Sequence, residues 1–306
     1  MSELDISVVL TTRDRADRLA ATLEDFARLR SEGFDWELLI VDNGSRDATA
    51  AVIAEASKCL PIRMLTLDRP GKCRAQNLAL EQVVGALVVF TDDDVSVDSG
   101  WLEALWGAAQ RWPDADLFGG AIRVKLIGDP PDWLQGENGQ KIVARHCAEY
   151  RPREDEGYTD TPPIGPNMAV RRRVLGDIRF DENVGPDGSS DYIKGGDTDF
   201  NIALMQRGHR CVFVPNAIVG HHAYAEQLSF ESLFQGVYRR GRKNGYLRPE
   251  RGGPSISGVP IKLWVRLIKQ WLRLRCASRT DALVYYELGT KYFYRLGYVD
   301  QLRVKG

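Results

Sequence analysis

The stretch ALVVFTDDD, residues 86–94, places an apolar run directly before three consecutive carboxylates. Short apolar runs without alternation are typical of strands that are buried on both faces. In an extended backbone Asp92 and Asp94 point to one side and Asp93 to the other. Two carboxylates on one side favour a hard divalent ion, Mg²⁺ or Mn²⁺. The alternative, an acidic turn that caps a helix near Ser99, stays open at this point.

Three more β-branched runs come before this strand, and each is followed by a segment with helical spacing of apolar residues. We predict strands at 6–12, 37–41 and 62–67, and helices at 15–29, 49–57 and 74–84. Such alternation predicts a mostly parallel α/β sheet flanked by helices. Ligands bind beyond the carboxyl ends of the strands in this architecture. The polar clusters at 11–15, 42–47 and 92–94 follow those ends.

The second half of the chain is less regular. Segments 128–137 and 151–163 carry prolines and charges, and we expect loops there. A short strand is predicted at 167–170, a helix at 199–206 and a strand at 211–214. From residue 230 onward the pattern is helical almost to the end.

Composition limits the class of protein. The chain has 306 residues, of which 43% are hydrophobic and 27% charged, which is typical of a folded domain. No apolar run approaches the roughly 18 residues of a membrane span, and the N-terminus lacks a secretory leader. The five cysteines are scattered without a Cys-x-x-Cys pair. We expect free thiols and a cytoplasmic protein.

The C-terminal part is strongly basic. Segment 239–275 contains eleven Lys or Arg residues and a single acid, Glu250. Within it, residues 261–275 predict a basic amphipathic helix whose apolar face contains Ile261, Trp264, Val265, Ile268 and Leu272. Such a helix favours an anionic membrane surface, here the inner face of the cell membrane. Packing against the rest of the chain is the other interpretation. The charges are not interleaved with stacking aromatics, so we expect no nucleic-acid partner.

Seven motifs occur in a fixed order: TTRDR, VDNGSRD, RPGKCRAQN, FTDDD, GPNMAVRR, GGDTDF and AIVGHH. Together they resemble the family 2 inverting glycosyltransferases of GT-A fold over roughly the first 240 residues. The resemblance implies a Rossmann-like GT-A domain at 1–228, with a donor-binding half at 1–125 and an acceptor-binding half at 126–228. A C-terminal helical extension would cover 229–306.

The resemblance also implies roles for individual residues. Thr11, Arg13 and Asp42 match positions that hold the base and ribose of the donor. A carboxylate such as Asp42 can accept hydrogen bonds from a uracil N–H or a ribose hydroxyl, although an Asx turn before Ser45 is its alternative. Lys72 and Asn77 match the segment that contacts the diphosphate, while Lys72 as a plain surface lysine is equally open.

For the chemistry, Asp94 matches the direct metal ligand, with Asp92 and Asp93 as supports that touch the sugar or ribose. His221 is predicted to complete the metal site, and His222 is an equal candidate. Asp197 matches the general base, which an inverting transfer needs. Asp197 is also a good N-cap for the following helix, and Asp199 is the alternative base.

Two departures and one further match complete the comparison with the family. Gly196 stands where Glu commonly precedes the base. Asn167 and Met168 match the segment below the acceptor. Gln235 begins a segment without the Trp of the processive Gln-x-x-Arg-Trp motif, so we expect a single transfer per encounter.

The predicted function is a metal-dependent inverting transfer of sugar from a nucleotide sugar, with UDP-sugar favoured, to a hydroxyl of a glycan, a lipid-linked glycan or a small acceptor. A nucleotidyltransferase is the alternative enzyme, but TTRDRADR lacks the glycine-rich loop of that class. A catalytically inactive membrane- or glycan-binding protein on the same scaffold is the non-enzymatic alternative.

Overall fold

The computed structural model describes residues 4–250 and 252–305. These residues form two compact units, each built from three segments of the chain. The first unit comprises residues 4–125, 147–182 and 196–222. The second unit comprises residues 126–146, 183–195 and 223–305. The predicted domains 1–228 and 229–306 stay a prediction.

A mixed sheet of nine strands dominates the structure, in the order β3-β2-β1-β4-β8-β6-β9-β5, with β7 paired to β9. Strands β3, β2, β1 and β4 are parallel, whereas β8 runs antiparallel to β4 and β6. The strands are β1 (Ile6–Thr12), β2 (Trp36–Asp42), β3 (Ile62–Thr66), β4 (Leu87–Thr91), β5 (Val95–Val97), β6 (Leu117–Ile127), β7 (Gly157–Thr159), β8 (Met168–Arg171) and β9 (Cys211–Tyr224).

Nine α-helices are present among the described residues. They are α1 (Ala16–Phe26), α2 (Thr49–Ala56), α3 (Lys72–Leu80), α4 (Trp101–Arg111), α5 (Gly136–His146), α6 (Asp197–Gln206), α7 (Phe230–Leu247), α8 (Ile261–Arg275) and α9 (Ala282–Lys305). Most predicted elements are found with ends shifted by a few residues. The predicted mostly parallel α/β sheet with flanking helices is confirmed.

The core of the first unit lies between the sheet and its helices. Strands β1, β2 and β4 are almost wholly buried, as their unbroken apolar runs predict. Leu19, Leu23 and Phe26 place one face of α1 in this core, because residues three and four apart share a helix face. Trp101 of α4 is the largest fully buried side chain and packs edge-on against Phe26.

Two expectations about the second half need correction. The strand predicted at 211–214 continues to Tyr224, because its later part pairs with β5 and places His221 opposite Val95. The loop expected at 151–163 contains the short strand β7, which pairs with the start of β9. A strand that finds its partner far along the chain leaves little local signal.

In the second unit, α7 and α9 pack with their backbones in contact. A Cβ atom on Gly241 would lie 2.0 Å from the Tyr294 carbonyl oxygen, and one on Gly297 would lie 2.1 Å from that of Tyr238. Only glycine permits this approach. A two-stranded hairpin, β10 (Ser255–Ile256) and β11 (Val259–Pro260), precedes α8.

Helix α8 packs beside α9 through Leu263 and Leu267, which share a cluster with Val299 and Leu302. Most of the apolar face predicted for this helix is therefore on its exposed side. A search of the described residues finds no helix with the length and apolar character needed to cross a bilayer.

Candidate active site

The carboxyl end of β4 carries the acidic cluster. Atoms of Asp92, Asp94 and His221 that could ligate a metal all lie within 4.8 Å of one another. The Nε2 atom of His221 is 3.6 Å from a carboxylate oxygen of Asp94. Because neighbouring residues of a strand point to opposite faces, His221 reaches the acids and His222 is directed away from them. His221 is thus the histidine beside the acids, and its role at a metal stays a prediction.

His221 is oriented by a backbone carbonyl. Its Nδ1 atom lies 2.7 Å from the oxygen of Cys147, and a carbonyl only accepts, so Nδ1 carries the proton. Burial lowers the pKa of His221, but the charges of Asp94 and Asp92 outweigh it and raise that pKa. Burial opposes ionisation of Asp94, yet His221, Arg15 and Lys72 lower its pKa to about 2. Asp94 is therefore a carboxylate at neutral pH.

Asp93 faces the interior, as the strand geometry predicts. It accepts hydrogen bonds from Thr12 Oγ1 at 2.7 Å and from a terminal guanidinium nitrogen of Arg15 at 2.7 Å. The same Arg15 nitrogen lies 3.1 Å from Asp94. Burial raises the pKa of Asp93, and the charge of Arg15 offsets this only in part. Asp93 thus pairs with Arg15. The sequence analysis instead predicted that Asp93 contacts the sugar or ribose of the donor.

Arg15 is a site residue that sequence reasoning missed. Burial lowers its pKa, but the three nearby acids outweigh that effect and raise it. The motif TTRDR contains both Arg13 and Arg15, and the resemblance pointed to Arg13. In the structure Arg13 instead pairs with Asp14 across 3.4 Å. Asp14 has a left-handed φ of 50°, which turns the chain between the two arginines.

The lysine at the start of α3 joins the acidic cluster to the predicted base. The Nζ atom of Lys72 lies 2.7 Å from Asp92 Oδ1 and 3.1 Å from Asp197 Oδ2. Burial lowers the pKa of Lys72, but the two carboxylates more than compensate and raise it well above its ordinary value. Lys72 is therefore an ammonium within the site and not a plain surface lysine.

Asp197 is the first residue of α6, and a second residue missed from sequence orients it. The amide of Gln76 donates to Asp197 Oδ1 at 2.6 Å. The capping role belongs to Asp199, whose carboxylate accepts from the Gly196 backbone N–H at 3.3 Å. Both oxygens of Asp197 consequently face Lys72 and Gln76 and do not cap the helix.

Gly165 leaves room for this carboxylate, because a Cβ atom there would lie 2.2 Å from Asp197 Oδ2. At Gly196 a Cβ atom would lie 2.6 Å from Cys73 Sγ. Gly196 also has a φ of 117°, which residues with a side chain rarely adopt. The contact with Cys73 and this φ explain why residue 196 is Gly and not Glu.

The remaining residues predicted to bind the sugar donor are Thr11 and Asp42, near the ends of their strands, and Asn77 in α3. Thr11 lies near the end of β1 and is half-buried. Asp42 ends β2, where one oxygen accepts from the Ser45 N–H at 2.9 Å, so the Asx turn is present. The amide of Asn77 donates to the carbonyl of Phe180 and accepts from its N–H, at 3.0 and 2.8 Å. Asn77 therefore holds the segment at 180 in place and does not face the acids.

Asn167 and Met168 lie inside the protein, and both are fully buried. The Asn167 amide accepts from Trp101 Nε1 at 2.9 Å and donates to the carbonyls of Ala121 and Ala217. No surface of either side chain is accessible, so neither can touch an acceptor without a rearrangement. Their predicted place in the segment below the acceptor stays a prediction.

Comparison with known proteins identifies the family of the chain. The sequence profile of glycosyl transferase family 2 matches residues 7–179, more than half of the chain. The chain belongs to glycosyl transferase family 2. It is thus a nucleotide-sugar glycosyltransferase of an inverting family. The resemblance found in the motifs is confirmed, and the nucleotidyltransferase alternative is not supported.

Curated relatives of this family 2 chain are distant. Glycosyltransferase AglE of Haloferax volcanii is 25% identical over 78% of this chain and 72% of its own length. The succinoglycan biosynthesis protein ExoM of Rhizobium meliloti is 25% identical over 78% of this chain and 73% of its own. The glucosyl-dolichyl phosphate glucuronosyltransferase of H. volcanii is 23% identical over 78% and 77%.

Solved structures confirm the GT-A-like fold. The mannosyltransferase PcManGT of Pyrobaculum calidifontis, in complex with GDP-Man and Mn²⁺, matches all of this chain and 89% of its own, with a TM-score of 0.59 and 17% identity. TarS of S. aureus (residues 1–349), in complex with UDP-GlcNAc, matches 98% and 90%, with a TM-score of 0.52 and 15% identity.

Proposed function

We propose that Asp92, Asp94 and His221 hold Mn²⁺ or Mg²⁺ against the diphosphate of a nucleotide sugar, and that Asp197 is the general base. The observation that carries this proposal is the convergence of the three ligating groups within 4.8 Å, next to the Lys72 contact with Asp197. Two carboxylates and an imidazole suit Mn²⁺, and His221 Nε2 becomes a ligand once its proton leaves.

The residues divide the work of the transfer. A bound cation would neutralise the charge that develops on the leaving nucleoside diphosphate. The Lys72 ammonium lies where it can contact the same phosphates, and Arg15 holds Asp93 and Asp94 in position. Thr11, Arg13 and Asp42 would contact the base and ribose.

Asp197 would take the proton of the acceptor hydroxyl as its oxygen attacks the anomeric carbon. The new glycosidic bond forms on the face opposite the leaving group. The bond between the anomeric carbon and the diphosphate oxygen breaks, and its electrons remain on the nucleoside diphosphate. Gln76 would keep the carboxylate of Asp197 aimed at the acceptor.

The donor proposed is a UDP-sugar. Asp42 supports this choice through its ability to accept from a uracil N–H or a ribose hydroxyl, and the TarS structure contains UDP-GlcNAc. The acceptor proposed is a hydroxyl of a glycan or lipid-linked glycan, in line with the lipid-linked substrate in the name of the glucuronosyltransferase relative.

The substitution Asp197→Asn tests the base. Binding of nucleotide sugars with Mn²⁺ should persist, as measured by thermal shift with UDP- and GDP-sugars. Transfer and hydrolysis of the donor should fall by roughly 10²- to 10⁴-fold. The amide keeps the shape of the side chain but does not take up the proton.

Asp199→Asn is the matched control, since its amide oxygen still accepts from the Gly196 N–H. This variant should keep most of the turnover. Near-normal turnover in Asp197→Asn would remove Asp197 from the role, and a collapse confined to Asp199→Asn would transfer the role to Asp199.

We also propose that α8 lies on an anionic membrane surface, at the inner face of the cell membrane. Packing through Leu263 and Leu267 leaves an exposed apolar stripe of Ile261, Val265, Ile268 and Leu272. A basic stripe of Lys262, Arg266, Lys269 and Arg273 runs beside it, which complements anionic lipid.

Sedimentation with phosphatidylglycerol vesicles should capture the chain, and Ile268→Asp should release it. Equal recovery of both in the supernatant would contradict this contact.

A further inference from the structure

The second unit contains a cavity of about 800 Å³. Helices α5, α7, α8 and α9 contribute to its lining. Four of the lining side chains are cations: Arg145, Arg240, Lys291 and Arg295. We call this cavity the basic pocket. Glu287 is the single acid that lines it.

In the part of the chain that the structure describes, no carboxylate lies in ion-pair distance of the cations of the basic pocket. Within residues 4–250 and 252–305, none of the four makes an ion pair or a hydrogen bond with a carboxylate. This is unusual for arginines that are partly removed from water, because a desolvated charge needs a counter-charge. Arg240 and Arg295 are both half-buried.

Burial and neighbouring positive charges act on the two half-buried arginines. Burial, followed by the charge of Arg145, lowers the pKa of Arg240. Burial and the charge of Arg266, which lies outside the lining, lower the pKa of Arg295, and Tyr294 and Glu250 offset this only in part. Both guanidinium groups are thus held in surroundings that disfavour their charged form. An anion in the cavity would relieve this cost.

The uncharged lining indicates what accompanies the anion. Gln270 lines the cavity, and its buried Oε1 atom has no hydrogen-bond partner among the described residues, which leaves it able to accept from a hydroxyl group of a ligand. Ile142, Val237 and Leu283 add apolar surface, and Tyr286 contributes an aromatic wall. A small inorganic anion would leave these groups unused.

We propose that the basic pocket binds the phosphate of a phosphate ester whose organic part carries hydroxyl groups. Guanidinium groups match phosphate oxygens with paired hydrogen bonds, which explains the use of Arg at the half-buried positions. The ester could belong to an anionic lipid headgroup or to a soluble sugar phosphate. This site is separate from the catalytic proposal and stands whether or not Asp197 is the base.

The test uses the full chain without metal and two probes, glycerol 1-phosphate and monomeric dihexanoyl phosphatidic acid, in calorimetric titrations. At least one probe should bind saturably. The double variant Arg240→Gln/Arg295→Gln should weaken that binding by at least about tenfold, since charge-assisted hydrogen bonds are lost. The control Arg28→Gln/Lys58→Gln changes the same charge on exposed residues of the first unit and should bind normally.

The two probes distinguish the sources. Tighter binding of the phosphatidic acid supports a lipid headgroup, and equal binding supports soluble phosphate esters. Nucleotide binding with Mn²⁺ must be unchanged in the double variant, which shows that the chain is folded. No saturable binding of either probe, or equal affinity in the double variant, would overturn the basic pocket as a phosphate site.

Discussion

The acidic cluster of the first unit and the basic pocket of the second differ in whether their charges are paired within the protein. Asp92, Asp93 and Asp94 have Arg15 and Lys72 as internal counter-ions at 2.7–3.1 Å. The cations of the basic pocket have no such partner among the described residues. A cluster with its own counter-ions keeps its geometry before a ligand arrives, whereas an unpaired cluster relies on the ligand for neutralisation.

The largest effect expected is from Asp94→Asn, which removes a charge from the acidic cluster. Donor turnover should fall by more than about a hundredfold because charge stabilisation at the leaving group is lost. The Mn²⁺-dependent thermal shift by nucleotide should disappear as well. Phosphate binding by the basic pocket should not change.

Asp177→Asn controls for loss of a carboxylate, because Asp177 is exposed and forms a surface ion pair with Arg207 at 3.2 Å. Turnover in this variant should match the unmodified chain. If Asp94→Asn kept its manganese-linked nucleotide binding, the acidic cluster would not be the cation site.

A smaller effect is expected from Gly165→Ala. This substitution removes no charged group but shifts the carboxylate of Asp197. The new methyl group would meet Asp197 Oδ2 at 2.2 Å and displace the carboxylate. A misplacement of about 1 Å costs roughly a hundredfold in rate. Steady-state kinetics should show a lower kcat with nearly unchanged nucleotide binding.

Gly236→Ala is the matched control, since a Cβ atom at 236 meets nothing within 4 Å. Its kcat should be unaffected. A Gly165→Ala enzyme with normal kcat would show that the exact position of Asp197 does not matter, against its role as base.

The smallest effect concerns the protonation of His146, a neighbour of the basic pocket. Burial and the charges of Arg240, Lys194 and Arg145 lower the pKa of His146 to about 4, and its Nε2 atom lies 2.6 Å from the Tyr286 hydroxyl. The unfolded chain takes up this proton near pH 6.5, so His146 makes the fold less stable as pH falls from about 6.5 to 4.

A bound phosphate ester should raise the pKa of His146 toward its ordinary value and so reduce this loss of stability. Histidine NMR titrations with and without glycerol 1-phosphate measure the shift, and His146→Gln identifies the signal. An identical titration curve at saturating ligand would mean that the anion does not bind beside His146.

The sequence predicted the parallel half of the sheet well, for a physical reason. Strands β1, β2 and β4 are buried on both faces, and each is followed directly by polar residues. Side-chain alternation was enough to place Asp93 opposite Asp92 and Asp94. These features depend on neighbours in the chain, and so they can be read locally.

What the sequence could not show depends on distant partners. His221 was a candidate equal to His222 until the pairing of β9 with β5 placed it opposite Val95. Arg15 reaches the acids after a turn at Asp14, whose backbone is in the left-handed conformation. The sequence motif does not predict that conformation. The contact of Gln76 with Asp197 spans 121 residues of chain.

The helix at 261–275 shows a different kind of limit. Its apolar residues are too many for one face, so periodicity alone could not tell which of them would be covered. The structure buries Leu263 and Leu267 and leaves Ile268 exposed. One side of this helix therefore packs within the second unit, and membrane contact by the exposed side stays a proposal.

Two glycines of the second unit set the distance between the helices that carry the arginines of the basic pocket. Helix α7 carries Arg240, and α9 carries Lys291 and Arg295, and the two helices touch where Gly241 and Gly297 meet backbone carbonyls. A methyl group at either glycine would wedge the helices apart and widen the gap between guanidinium groups. Gly241 and Gly297 therefore set the width of the proposed phosphate site, although neither residue lines it.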